Sequence, residues 1–300
     1  MKEQQDRVSR IICERLNLRA YAVNSLRAVR EITGIHGTTP NATIPLARTI
    51  TAGALLAATL KPGSGQSVSL KFSGSGPLKE INVQADAGGN VRAYVARPEV
   101  DLEEHFDSIN FSRAIGAGFL TVVKDLGLRE PYTSHIPLLA GDVARDIAYY
   151  LTVSEQVPSA LLLGLAWDSD GLLTASGGIL IQTFPETPET SIALIEKNIN
   201  SMHTPLGDML LQGTDMHDIV SEIFNGEPLN ILGTYPLHAA CRCSREMLAG
   251  ALLSLHEDDL NEMITEDSGA EITCTFCKKK HSFTGDDLRA IVEKKKSRLS

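Results

Sequence analysis

Four of the chain's five cysteines fall in two close pairs near its end, in "HAACRCSREM" and "ITCTFCKKKH". The pattern is C-x-C, thirty intervening residues, then C-x-x-C, formed by Cys241, Cys243, Cys274 and Cys277. It constrains the last fifth of the chain more than any hydrophobic pattern does. From about Pro236 on, aliphatic residues are sparse: Leu248, Leu252, Leu253, Leu255, Leu260, Met263, Ile264, Ile272, Leu288 and Ile291. A unit of about 60 residues this lean is marginal on hydrophobic burial alone and commonly needs a metal or disulfides. Four thiolates make a tetrahedral sulfur site that suits zinc. C-x-x-C on a tight turn supplies half of such a site, and the thiols of C-x-C also lie close enough to share one metal. His238, His256 and His281 are competing nitrogen donors. Four sulfurs already close a structural site, which leaves each histidine a bystander.

Three hundred residues is long for one core and suits two or three units. The first thirty residues carry charges throughout (Lys2, Glu3, Asp6, Arg7, Arg10) and lack an apolar signal core, so no secretory peptide is expected. No run of about 18 uncharged apolar residues exists, so no membrane span is expected either. A net charge of −9 argues against nucleic-acid binding through the whole surface. The lysine runs Lys278–Lys280 and Lys294–Lys296 read as solvated faces. Five cysteines without an export signal point to a reducing, cytoplasmic setting, where paired cysteines bind metal or do redox chemistry.

The remaining pattern divides the chain into three parts. Val8, Ile11, Ile12, Leu16 and Leu18 recur at roughly helical spacing and predict an N-terminal helix, with Cys13 inside it as a buried bland thiol. "TIPLARTITAGALLAATL" predicts a second, tightly packed helix ended by Lys61-Pro62-Gly63. From residue 67, "SVSLKFSG", "LKEINVQAD" and "VRAYVARP" alternate as strands, with a hairpin bend at Gly88-Gly89-Asn90. "FLTVVKDL" and "HIPLLA" read as further strands. "DVARDIAYYLTVSEQ" reads as a helix capped by Asp142, and "SALLLGLAWD" with "LLTASGGILIQTF" reads as a second hairpin. The expectation is an α+β domain with an antiparallel sheet and packed helices over 1–184.

A helical linker is expected over 185–236. Thr187 reads as an N-cap with Pro188 at the first helical position. Two apolar stripes follow: Ile192, Ile195, Ile199, Met202 and Leu206, then Met216, Ile219, Val220, Ile223 and Phe224. Such short helices cannot bury a greasy face alone. They need a surface to lie on, as ordinary core or as a cover that lifts off. The cysteine-bearing unit then fills 237–300.

Chemistry concentrates in that last unit. Metal-bound thiols are thiolates, the form an oxidant attacks, and an oxidised close pair is a far poorer ligand. Metal binding is folding free energy for so small a unit, so oxidation would unfold it. Elsewhere the signals are weak. "SGSGP" at Ser73–Pro77 lacks the Lys-Ser/Thr of a phosphate loop and reads as a turn. Asp142, Asp146, His135 and Glu155 show no spacing that demands catalysis, and no enzyme is expected.

The segments "FSGSGPLKEINVQADAGGNVRAYV", "GFLTVVKDLGLREPYTSHIPL", "GDVARDIAYYLTVSEQVPSA", "SGGILIQTFP", "CRCSRE" and "CTFC" together resemble the 33 kDa heat-shock chaperone family of bacteria, the redox-regulated holdases. The likeness spans nearly the whole chain, and C-x-C with C-x-x-C behind an α+β domain is its most specific part. The resemblance implies one zinc held by Cys241, Cys243, Cys274 and Cys277 in the reduced state. It implies disulfides Cys241–Cys243 and Cys274–Cys277 after oxidation, with zinc released and the linker loosened. It further implies ATP-independent holding of unfolding client proteins, and homodimers as the active form. Two positions depart from the family pattern: His281 stands where an aromatic residue is common, and Ser134 where a glycine is.

Two other readings fit the cysteines alone. A zinc ribbon could use "CKKKH" on phosphates, but the acidic stretch "HEDDLNEMITED" beside it argues against nucleic acid. A thiol-disulfide oxidoreductase would place C-x-x-C at a helix start in a thioredoxin-like setting, which the pattern lacks.

Overall fold

The computed structural model describes residues 5–100, 111–139, 141–266 and 269–299. Lys2, Glu3, Ala140 and Asp267, on which the sequence reading touches, lie outside the described residues. The chain forms two compact units, Met1–Ala240 and Cys241–Ser300. Among the described residues no helix is long and apolar enough to cross a membrane.

The first unit opens with a hairpin, β1 (Arg7–Cys13) and β2 (Leu18–Asn24), where the sequence spacing predicts a helix. The correction has a clear cause. Val8, Tyr21 and Val23 enter one hydrophobic core, whereas Ile11, Cys13, Ala20 and Ala22 enter another, on the opposite face of the hairpin. A strand buried on both faces places apolar residues at odd and even steps, and a step of three from Val8 to Ile11 imitates a helical period. Helix α1 (Leu26–His36) follows. Its first turn is capped from a distance, because the Asp6 carboxylate accepts the Arg27 and Ala28 N–H groups at 3.1 and 2.7 Å.

Helix α2 (Pro40–Ala58) is the predicted tight-packing helix. All its residues except Pro40 and Arg48 are buried, as an apolar, alanine-rich helix demands. It touches strands of both sheets of this unit. A polar junction buried against it is satisfied: the Ser25 hydroxyl lies 2.8 Å from that of Thr51 and 2.9 Å from that of Ser176.

Strands β3 (Ser67–Gly74), β4 (Glu80–Asp86) and β5 (Asn90–Val95) appear where alternation predicts them. After α3 (Phe111–Ile115) come β6 (Gly118–Asp125) and β7 (Tyr132–Pro137). Helix α4 (Val143–Val153) starts at Asp142, whose carboxylate accepts the Ala144 and Arg145 N–H groups at 3.0 and 3.1 Å. The second predicted hairpin is β8 (Ser159–Trp167) with β9 (Leu173–Thr183).

Helices α5 (Glu189–Asn200), α6 (Leu206–Leu211) and α7 (Met216–Ile223) then cover one face of the sheet that contains β1, β2, β8 and β9. Both predicted stripes point at that face. Met216, Ile219, Val220, Ile223 and Phe224 are buried, with Ile195 and Leu206 beside them. Burying each such side chain contributes about 1.5–3 kcal/mol. Cys13 lies under this cover with no exposed surface. Thr187 does not cap α5. Its hydroxyl lies 2.7 Å from the Asn17 carbonyl and accepts the Phe184 N–H at 2.9 Å, which ties the start of the cover to the β1–β2 turn.

The chain then runs through β10 (Asn230–Pro236) and β11 (His238–Ala239). β10 completes a five-stranded antiparallel sheet, β10-β1-β2-β9-β8. β11 pairs parallel with β5 at the end of a six-stranded sheet, β11-β5-β4-β3-β6-β7. Ten residues therefore join two sheets. Gly89 makes the crossing possible: it has φ +86°, and a Cβ there would lie 2.2 Å from the Pro236 carbonyl oxygen.

The second unit holds α8 (Arg245–Leu252), α9 (Glu257–Thr265), the hairpin β12 (Gly269–Thr273) with β13 (Lys280–Thr284), and α10 (Gly285–Leu299). Its core consists of Leu252, Leu260, Phe283, Leu288, Ile291 and Val292.

The Gly89 contact yields a first expectation. Gly89→Ala forces a left-handed alanine and a backbone clash, a cost of about 1–3 kcal/mol. At about 2–4 °C per kcal/mol, thermal unfolding followed by circular dichroism should show a drop of several degrees.

Candidate metal centre

Cys241 and Cys243 lie on the segment between β11 and α8, and Cys274 and Cys277 lie on the turn between β12 and β13. The turn is a tight knuckle. The Lys278 N–H donates to the Cys274 carbonyl at 2.8 Å, and the Cys274 N–H donates to the Lys279 carbonyl at 2.9 Å. Lys278 adopts a left-handed φ of 59°, a conformation that costs a side-chain-bearing residue roughly 1–2 kcal/mol.

The other half is fixed by residues just past Cys243. Ser244 caps α8 by accepting the Met247 N–H at 3.2 Å. The Arg245 guanidinium reaches three groups of the hairpin and the last helix. It pairs with the Asp287 carboxylate at 2.6 Å, donates to the Ser282 carbonyl at 3.3 Å, and stands 4.7 Å from the centre of the Phe283 ring. Asp287 and Thr284 form a capping box on α10: the Thr284 N–H donates to the carboxylate at 2.8 Å, and the Asp287 N–H to the threonine hydroxyl at 3.3 Å. Arg245 and Thr284 hold Asp287 well below the usual carboxylate range. Sequence reasoning missed this node, because Arg245 lies 37 residues from Ser282; the Thr284-x-x-Asp287 capping spacing was its one local signal.

The four sulfurs converge. All lie within 4.8 Å of one another. Cys241 and Cys274 are 3.7 Å apart, and Cys243 and Cys277 are 3.4 Å apart. A tetrahedral ion with metal–sulfur bonds of about 2.3 Å sets its sulfurs about 3.8 Å apart, so the residues present fit a four-thiolate metal site. The fit extends to charge. Burial raises the Cys243 thiol, and the Cys277, Cys274 and Cys241 sulfurs push it further up. Burial also raises Cys277. Cys274 goes the other way: burial raises it, but N–H bonds from the Cys277 and Phe276 backbone outweigh that and lower its pKa. Four neighbouring thiols cannot all ionise without a cation among them, and a cation would make all four thiolates.

The structure sorts the histidines. His256 sits at the start of α9, and His238 lies in β11. His281, on β13, is buried with its Nε2 3.7 Å from the Cys243 sulfur. The polar residues of the first unit have structural work. Asp142 caps α4, and Asp146 accepts the Leu139 N–H at 3.0 Å. His135 stacks on Phe119 at 4.5 Å, and Glu155 joins Lys124 and the Tyr150 hydroxyl.

Comparison with known proteins gives the family. The family model described as "Hsp33 protein" matches residues 6–284. The 33 kDa chaperonin of Geobacter sulfurreducens is 40% identical over 287 residues, 95% of this chain and 94% of the relative. The 33 kDa chaperonin of Acetivibrio thermocellus is 36% identical over 290 residues, 96% of this chain and 97% of the relative. The crystal structure of the 33 kDa chaperonin (heat shock protein 33 homolog) of Thermotoga maritima superposes with a TM-score of 0.85 at 30% identity, covering 98% of this chain and 100% of that one. A chain matched almost end to end in sequence and in fold belongs to the Hsp33 family.

Proposed function

We propose that the protein is a redox-regulated, ATP-independent holdase chaperone of a reducing, cytoplasmic compartment. In this reading 1–184 is the client-binding core, 185–236 the releasable cover and 237–300 the switch. The observation that carries it is the sulfur cluster in a unit whose core, among the described residues, holds six buried apolar side chains. A single zinc, when bound, would hold Cys241, Cys243, Cys274 and Cys277 as thiolates and close the fold of that unit. Such binding contributes about 10–16 kcal/mol in zinc-finger peptides. Domains are stable by only about 5–15 kcal/mol, so a unit built this way does not survive loss of its ligands.

The thiolates are the sensor. Cys241 with Cys243, and Cys274 with Cys277, each give up two electrons to a peroxide. Two thiolates, one hydrogen peroxide and two protons become one disulfide and two waters. A disulfide sulfur no longer serves as a thiolate ligand, so each pair leaves the site. Ala240 alone separates Cys241 from β11, so disorder in the switch reaches β11 and β10 along the chain. The apolar undersides of α5–α7 and the sheet face beneath them then supply greasy surface for clients. The active form is a homodimer, as the family resemblance implies.

Peroxide with mild heat should release about one zinc per chain, read with a colorimetric chelator, and suppress aggregation of a heat-unfolded test protein. Hydrogen exchange should show lost protection confined to about 185–300. Oxidised protein that leaves aggregation unchanged sinks the reading. Cys274→Ser should abolish tight zinc binding by the reduced protein, with zinc content falling from about one per chain towards zero.

The cover can be tested without oxidant. A Cβ on Gly207 of α6 would lie 2.1 Å from the Leu165 carbonyl oxygen of β8, so α6 rests on the sheet through a bare backbone. Gly207→Ala should lift α6 and give reduced, zinc-loaded protein measurable holdase activity and stronger binding of an apolar fluorescent dye. A variant as silent as the parent would show that the cover is not the client surface.

A further inference from the structure

We propose that His281 is a positioning residue of the sulfur cluster: its Nε2–H donates to the Cys243 thiolate and holds that sulfur in the ligand set. This inference rests on reading the four cysteines as a metal site.

The geometry points to it in three ways. First, the ring is buried, 9% exposed, and its Nε2 is 3.7 Å from the Cys243 sulfur. β13 pairs His281 with Ile272 of β12, which fixes its backbone two positions before Cys274 on the facing strand. Second, the donor's direction follows from the chemistry. A ligated thiolate carries no proton and can only accept, so the ring that makes this contact is the tautomer with its hydrogen on Nε2. Third, the cysteines of the knuckle already have such donors. Cys274 receives the Cys277 and Phe276 N–H groups, and Cys277 receives that of Lys279. Cys243 sits on a segment outside the knuckle. Among the described residues its other hydrogen-bond partners are the three thiols, which leaves His281 its sole nitrogen donor.

His281 is not a fifth ligand. The four sulfurs close the shell, and the cluster with metal-site spacing contains cysteines alone among the described residues. An N–H bond to a bound thiolate draws electron density off the sulfur and fixes its lone-pair direction, the usual task of an outer partner of a metal ligand. His281 therefore sets how firmly the C-x-C half of the site holds on.

Cobalt(II) reports this directly, through the sulfur-to-metal charge-transfer band and through competition with a chelator. The parent, His281→Phe and His281→Gln are compared as full-length reduced chains. His281→Phe keeps a buried ring without the donor, and His281→Gln restores an N–H. The expected result is one cobalt per chain in all three. The band of the phenylalanine variant shifts to lower energy and its affinity falls about 10–100-fold, as for other outer-partner losses. The glutamine variant returns both towards the parent. A phenylalanine variant with the parent's band and affinity overturns the proposal, as does a glutamine variant as impaired as phenylalanine. If the phenylalanine variant fails to fold, the glutamine variant decides alone, parental behaviour supporting the proposal and impairment overturning it. A parent that binds no cobalt at all would overturn the metal-site reading itself and this proposal with it.

Discussion

The convergence of four sulfurs is the constraint on which the C-terminal unit depends. Leu252, Leu260, Phe283, Leu288, Ile291 and Val292 make a core too small to order some sixty residues against their conformational entropy. The sulfurs come from two segments far apart in sequence, and the Arg245 node bridges them beside the shared core of α8, β12 and β13. From two residues past the first cysteine pair, its guanidinium reaches the hairpin of the second pair and the cap of the last helix. The pair with Asp287 is exposed and adds little by itself. Its value is geometric, since one planar group meets a carboxylate, a carbonyl and a ring at once.

The first unit solves a different problem. Its five-stranded sheet has two apolar faces, one on α2 and the other beneath α5–α7. A sheet of that kind is fully stable only while both faces are covered. The second cover consists of three short helices, the longest of 12 residues, joined by breaks at Pro205 and Gly213. Such helices owe their order to the surface beneath them rather than to their own propensity. Cover and sheet face are thus complementary greasy surfaces, each of which would be exposed by separation from the other.

Much of this was legible in the sequence, and the exceptions have physical causes. β3, β4 and β5 are read from alternation because each buries a single face. The stripes of α5 and α7 are read from their period for the same reason. β1 and β2 misled because two-sided burial erases alternation. Helix α1 went unread because its cap, Asp6, lies 21 residues from the Arg27 N–H it accepts. β10 and β11 carry little burial pattern, and their pairing partners are distant in sequence. The cysteine cluster was visible from spacing. The contact of His281 with Cys243 was not, because a histidine's neighbours depend on strand register and not on sequence distance.

The ten residues from Asn230 to Ala239 also have a mechanical character. β10 is an edge strand, bonded to β1 along one side only, and β11 is a two-residue edge on the other sheet. Tension applied from Cys241 would open β11 and then peel β10 rung by rung, rather than shearing a whole ladder at once. Such peeling leaves β1-β2-β9-β8 and β5-β4-β3-β6-β7 with their own pairings intact. The chain is laid out like a zip fastener with its slider next to the cysteines: it can be drawn open from one end while the fabric on both sides stays whole.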